Sequence, residues 1–291
     1  MDVDITHFKD AREMMEVDDQ SITLIVTSPP YWNIKDYSLD GWQQRSCHSR
    51  TAGQIGDIED YETYLRTLTE VWKQCEQVLR PNGKLCVNVP IMPIPKKIKN
   101  TGYTRYIVNI YSRVEEEILN NTSLRLMDVY IWERANATKK LMFGSYPYPP
   151  NFYAQNTSEF IGVFVKDGES EKRTPEIKEA SKLTGEEWVE YTKQIWRIPI
   201  PHKGEPGYED HPALMPLELA KRLIRLYSFV GDIVLDPFMG SGTTGRAAQD
   251  LSRHYVGYEI NPGYKDVIER RLAPQSCHSS KKTGKSRMTR R

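Results

Sequence analysis

Two short segments, 209 positions apart, carry residue types that could do chemistry together. The first is Thr27-Ser28-Pro29-Pro30-Tyr31-Trp32. Two prolines in a row stiffen the backbone and remove N–H donors, so neighbouring carbonyls and the Ser28 hydroxyl are left to meet an outside group. Tyr31 and Trp32 add flat faces. Such a loop suits an exocyclic base amine, which must be hydrogen-bonded and stacked outside the duplex before its nitrogen can attack. A plain strand-ending turn is the bland reading of Pro-Pro-aromatic.

The second segment is Asp236-Pro-Phe-Met-Gly-Ser-Gly-Thr-Thr-Gly245, with Glu259 19 residues beyond Gly240. Glycines allow close backbone approach, and a helix starting there offers free N–H groups. A carboxylate at the end of the next strand can accept hydrogen bonds from ribose hydroxyls. Gly240–Gly245 also satisfies GxGxxG, so a nicotinamide cofactor is an alternative to S-adenosylmethionine. The GK[ST] ending of a phosphate-binding NTPase loop is absent.

Around these segments the sequence alternates strand-like and helix-like patterns. Ser21–Thr27, Lys84–Val89, Leu126–Trp132, Phe160–Val165, Asp232–Asp236 and Tyr255–Glu259 read as strands. Apolar positions from Ile58 to Leu79 follow a helical period, with Asp57 placed to cap them. Helices are also expected over Pro212–Phe229, Thr243–Leu251 and about 264–272. Arg80-Pro-Asn-Gly83 reads as a turn, and about 36–57 as a loop.

The 291 residues suffice for one large α/β domain with recognition inserts. The expected organisation is a catalytic domain over 1–273, with inserts at about 91–125, 134–158 and 166–210, and a loose basic tail over 274–291. Formal charge is +1, but residues 281–291 hold six bases and no acid. The remainder carries 34 bases against 39 acids, or −5. DNA binding by the body therefore calls for local basic patches. Residues 96–113 supply Lys96, Lys97, Lys99, Arg105 and Arg113 with interleaved tyrosines; residues 134–158 supply Lys139 and Lys140 among aromatics. Solvated helix faces are the competing reading. No apolar run is long enough for a membrane span and the first residues are no signal peptide. An intracellular protein is expected. Cys47-His48 and Cys277-His278 are adjacent pairs with no zinc-site spacing, so no metal is expected.

Ser-Pro-Pro-Tyr at 28–31 resembles the catalytic signature of S-adenosylmethionine-dependent DNA amino-methyltransferases, and Asp236–Thr244 resembles their cofactor loop. The signature precedes the loop, as in the permuted β-class. His211-Pro-Ala-Leu-Met-Pro216 is similar to the lead-in to that loop, Val78–Gly83 to the family's turn before a central strand, and Asp10 to the acidic position near the adenine. The resemblance covers roughly 4–272.

It implies a Rossmann-like methyltransferase fold: a mostly parallel twisted sheet with helices on both faces, in circularly permuted order. It assigns Ser28, Pro29, Pro30 and Tyr31 to catalysis and Trp32 to the base pocket. Asp10, His211, Asp236, Phe238, Gly240, Ser241, Gly242, Thr243, Thr244 and Glu259 are assigned to the cofactor. Ser at the first signature position implies cytosine N4; Asp or Asn is usual for adenine N6, which stays the alternative. A NAD-binding oxidoreductase is the distant one, since it leaves Ser28–Tyr31 without a role. Cytosine-C5 chemistry needs a cysteine nucleophile, usually after a proline, and no cysteine here follows one. The partner is double-stranded DNA with the base flipped; a homodimer is plausible for such a family.

Overall fold

The computed structural model describes residues 1–32, 51–94, 106–136, 146–150, 152, 154 and 156–273. Nine strands are described: β1 (Ile5–His7), β2 (Ile22–Thr27), β3 (Leu79–Ile94), β4 (Tyr106–Asn109), β5 (Arg125–Arg134), β6 (Ser158–Val165), β7 (Ile195–Ile198), β8 (Ile233–Asp236) and β9 (His254–Tyr258). They form one sheet in the order β1-β9-β8-β2-β3-β6-β5-β7, and β4 pairs with β3 outside that row. The pairs β1–β9, β9–β8, β8–β2, β2–β3 and β5–β7 are parallel; β6 runs against both β3 and β5.

Strand alternation divides the core between two faces. In β2, Ile25 enters one apolar cluster while Leu24 and Val26 enter the other; Ile22, before the irregularity in the pairing with β3, joins Ile25. The first cluster is closed by α1 (Tyr61–Val78) and α2 (Ile110–Asn121). The second is closed by α5 (Leu217–Tyr227), α6 (Thr243–Asp250) and α7 (Lys265–Leu272). The sheet is thus covered on both faces, as the near-continuous burial of β2 requires.

α1 shows why the helix forms and where it stops. Tyr64, Leu65, Leu68, Val71, Trp72, Cys75 and Val78 repeat every three or four residues and are all buried. Each such side chain contributes about 1.5–3 kcal/mol through burial. The cap is Asp60, whose carboxylate accepts from the Thr63 backbone N–H at 2.7 Å. Asp57, expected in that role, belongs instead to a short 3-10 turn over Ile55–Asp57. Two equally suitable aspartates three residues apart cannot be ranked by spacing; the chain direction entering the helix decides.

Two further differences follow from sheet context. Arg80–Gly83 lies within the bounds of β3: its neighbours pair Ile22 with Leu79 and Leu24 with Lys84, so the four residues bulge out of an otherwise continuous pairing. Asn82 takes φ 58° there. Within 91–125, α2 buries Ile110, Val114 and Ile118 against the same cluster as α1. The segment over 166–210 adds two short helices, α3 (Pro175–Ala180) and α4 (Gly185–Tyr191). Glu187 of α4 meets Arg225 of α5 at 2.6 Å, and Trp196 of β7 is buried in the second cluster.

β2, which leads into Ser28–Tyr31, precedes β8, which leads into the Asp236–Thr244 loop, yet the two are neighbours. After β2 the chain crosses to α1; after β8 it crosses to α6, on the other face. Connections that diverge from adjacent parallel strands open a crevice at their carboxyl ends.

Candidate active site

The crevice is a cleft lined by residues from both strand ends. Its lining includes Ser28, Pro29, Pro30 and Tyr31 on one side. On the other are Asp236, Phe238, Gly240, Ser241, Thr243 and Glu259, with Asp10 and His211 at the margins. Both predicted segments therefore open into one cavity.

Asp236 joins them. Its Oδ1 accepts from Thr27 Oγ1 at 2.7 Å and from the Phe238 N–H at 3.0 Å, and its Oδ2 accepts from Thr244 Oγ1 at 2.7 Å. Asp236 is almost fully buried. Burial pushes its carboxyl above the usual range, while the Thr244, Thr27 and Phe238 hydrogen bonds pull it back.

The Ser28–Tyr31 loop is pinned from α1 and the turn before it. Tyr64 donates its hydroxyl to the Pro30 carbonyl at 2.9 Å, and the Trp32 indole N–H donates to the Glu59 carbonyl at 3.2 Å. Trp32 is 4% exposed, packs on Tyr61 at 4.7 Å between ring centroids, and is turned into the core, not toward the cleft. The Ser28 hydroxyl is partly exposed, 3.1 Å from the Asn88 carbonyl and 3.1 Å from the Tyr31 hydroxyl.

The Asp236–Thr244 loop turns through Gly240 (φ +52°) and Gly242 (φ +85°). A Cβ on Gly240 would stand 2.9 Å from His211 Nε2, so glycine lets the lead-in histidine close over the loop. Glu259 Oε2 accepts from the Gly240 N–H and Oε1 from the Asn261 N–H, both at 2.8 Å. Each oxygen keeps a second lone pair. Burial pushes the Glu259 carboxyl up to about 7, against the pull of those backbone donors.

Asp10 accepts from the Arg12 backbone and guanidinium, both at 2.9 Å. Burial would raise its carboxyl, but these bonds outweigh it and hold it below the ordinary value. A second carboxylate thus stays charged at the margin. Carboxylates at Asp10 and Glu259, ring faces from Phe238, Tyr258 and Tyr264, and the glycine turn beneath His211 fit a nucleoside with an attached amino acid.

Two predicted cofactor residues do not reach the cavity. Thr244 is turned back to Asp236 and to the Val26 carbonyl, and Gly242 sits behind the loop against Ile268. Both shape the loop and do not line it. Arg113, expected near DNA, forms ion pairs with Glu62 and Glu116 on the exposed side of α1 and α2. Lys96, Lys97, Lys99, Arg105, Lys139 and Lys140, and the Cys-His pairs at 47–48 and 277–278, lie outside the described residues.

Sequence reading missed Lys9, Gln54, Met215, Tyr258 and Tyr264, which also line the cleft. Tyr258 was within reach: it is the residue before Glu259 at the end of a predicted strand. It also missed Glu159 and Asn88, the buried pair behind Ser28 and Tyr31. The signal for Glu159 was a lone acid inside Ser-Glu-Phe-Ile-Gly-Val-Phe-Val. Among the described residues no group of three or more His, Cys, Asp or Glu side chains could hold a metal ion. Burial pushes the thiols of Cys75 and Cys86 up, so neither presents a thiolate.

A family model described as DNA methylase matches residues 22–270, most of the chain. The chain belongs to this N6/N4 DNA methylase family. It is 32% identical over 295 residues to a type II methyltransferase, M.MjaI of Methanocaldococcus jannaschii, spanning 94% of this chain and 93% of that one. A putative DNA modification methylase of Thermus thermophilus, solved in complex with S-adenosyl-L-methionine, superposes with a TM-score of 0.71 at 31% identity, covering 92% of each chain. The PvuII DNA methyltransferase, described as cytosine-N4-specific, superposes with a TM-score of 0.65 over 93% of this chain and 86% of that one. At 19% identity that likeness shows the fold alone.

This DNA methylase is an S-adenosylmethionine-dependent DNA methyltransferase with a Rossmann-like methyltransferase fold. No helix among its described residues is long and apolar enough to cross a membrane.

Proposed function

We propose that the enzyme methylates the N4 amine of a cytosine flipped out of double-stranded DNA, by direct displacement. The observation that carries this reading is the Ser28 hydroxyl, held at the mouth of the cleft that the cofactor loop also lines. When bound there, S-adenosylmethionine supplies an electrophilic methyl carbon. The protein's part is to hold and orient. The Ser28 oxygen and the Pro29 carbonyl accept hydrogen bonds from the two amine N–H groups, which favours a pyramidal nitrogen with its lone pair localised. The Tyr31 ring covers the base. Well-placed groups of this kind lower a barrier by about 7–11 kcal/mol through positioning alone. Asp10 and Glu259 hold the adenosine, and Phe238 to Thr243 the amino-acid portion.

Sequence selectivity and a place in a type II restriction-modification pair are consistent with the name of the M.MjaI relative. Lys96, Lys97, Lys99, Arg105, Lys139 and Lys140, and the tail over 274–291, are the proposed phosphate contacts. An intracellular enzyme, acting singly or as a homodimer, suits a genomic substrate.

The experiment is incubation with labelled methyl donor and plain duplex DNA, then digestion and mass spectrometry of the nucleosides. N4-methylcytosine is expected. N6-methyladenine would replace cytosine by the alternative on the same scaffold, and an unlabelled nucleoside pool would end the reading.

A further inference from the structure

Behind the catalytic loop lies a carboxylate for which cofactor binding and loop folding offer no use. Glu159, on β6 opposite Pro90 of β3, is 6% exposed. Burying an ionised carboxylate costs several kcal/mol unless partners surround it. Here three do. Tyr31 donates its hydroxyl to Glu159 Oε2 at 3.2 Å, Asn88 donates its amide to the same oxygen at 2.7 Å, and Arg134 Nη1 lies 3.7 Å from Oε1. The Tyr31 hydroxyl is in turn 3.1 Å from Ser28 Oγ. A continuous line therefore runs from the cleft to a buried base: Ser28 Oγ, Tyr31 Oη, Glu159 Oε2.

We infer that Glu159 is a positioning residue that sets the polarity of the Ser28–Tyr31 hydrogen-bond chain and receives the proton released by the methylated amine. The inference rests on the methyl-transfer reading above. Proton accounting supports it. Ser28 and Tyr31 bring one hydroxyl proton each, and an ionised carboxylate brings none. A carboxylate is a stronger acceptor than a hydroxyl, so the Tyr31 proton points to Glu159. The Ser28 proton then points to the Asn88 carbonyl or to Tyr31 Oη, and in both cases a Ser28 lone pair stays available to an amine in the cleft; the relay runs from the second arrangement, which a rotation of the hydroxyl supplies.

Once the N–C bond has formed, with the C–S electron pair left on sulfur, the nitrogen carries a surplus proton. That N–H bond breaks as its proton passes to Ser28 Oγ. The Ser28 proton passes to Tyr31 Oη, and the Tyr31 proton to Glu159 Oε2. One N–H bond is lost and one carboxyl O–H gained; the positive nitrogen and the negative carboxylate both end neutral. After the base leaves, the proton returns along the same line to water.

The test uses the full-length enzyme, duplex DNA and labelled S-adenosylmethionine. Single-turnover rates are measured over about pH 5.5–9 with S-adenosylmethionine saturating at every pH, so that loss of cofactor does not shape the acid side, and calorimetric cofactor affinity is measured alongside. Glu159→Gln and Tyr31→Phe should bind cofactor like the wild type but lose about 100-fold or more in rate. The fall in wild-type rate on the acid side should be absent from both variants and restored in Glu159→Asp. Variants as fast as the wild type would overturn the inference. So would slow variants that keep the wild-type acid fall, which would leave Glu159 as an anchor for Asn88 only. If Glu159→Gln does not melt cooperatively, Tyr31→Phe decides, because it removes one hydroxyl and keeps the packing. Wild-type enzyme that methylates no base would sink the methyl-transfer reading, and the relay with it, which the variants' failure alone would not do.

Discussion

Thr27 and Asp236 share a 2.7 Å hydrogen bond across 209 residues of chain. They end adjacent parallel strands, one leading into Ser28–Tyr31 and one into the Asp236–Thr244 loop. The bond therefore fixes the separation of the proposed catalytic and cofactor segments. Thr27→Val should cost about 1–2 kcal/mol of stability, and Asp236→Ala about 3 kcal/mol, because the alanine leaves the donors of Thr27, Thr244 and Phe238 without their acceptor. Both should weaken cofactor binding. Thermal melts with calorimetry check this; Asp236→Ala with normal affinity would remove the residue from the site.

Ser28→Ala separates chemistry from binding. Among the described residues the hydroxyl's hydrogen-bond partners are the Asn88 carbonyl and Tyr31. Single-turnover methylation should fall about 100-fold or more, with cofactor affinity held within about twofold. An unchanged rate would take the amine away from Ser28.

Glu259 should make cofactor binding pH-dependent. With its carboxyl raised to about 7, chiefly by burial, it is protonated below that point and loses acceptor capacity toward ribose hydroxyls. Affinity should be full above about pH 7 and decline below it. Stability of the cofactor-free protein runs the other way. A carboxyl whose folded value lies above its unfolded 4.5 contributes fully below 4.5, and that contribution is lost as pH rises through about 7. Calorimetry and melts at matched ionic strength check both signs; flat affinity across that window would exclude Glu259 from the ribose contact.

Gly240→Ala tests the loop. An alanine at φ +52° costs about 1–2 kcal/mol of backbone strain, and its Cβ meets His211 Nε2 at 2.9 Å. Cofactor affinity should drop with stability. Removing the ring as well, in Gly240→Ala with His211→Ala, should return part of the loss; strictly additive effects would mean that the two residues do not touch.

At the start of α1, Asp60→Ala should lower stability by about 1 kcal/mol through loss of the cap, while Asp57→Ala should change it by much less. Equal effects in chemical denaturation would return Asp57 to the role that spacing suggested.

The local sequence determined a good deal. Strand and helix periods, the glycine turn and the double proline are properties of short windows, because side-chain burial repeats with the geometry of each element. The order of Ser28–Tyr31 before Asp236–Thr244 was also legible, and with it the permuted arrangement. Tertiary structure decided the rest. Which aspartate caps α1, why Thr244 faces Asp236 and not the cleft, and why Trp32 joins the core all depend on which strand lies beside which. Glu159 shows the limit most plainly. Its position 128 residues from Tyr31 says nothing locally, and only the antiparallel register of β6 on β3 puts its carboxylate under the tyrosine hydroxyl. Hydrogen bonds between distant segments are set by sheet order, which no short window encodes.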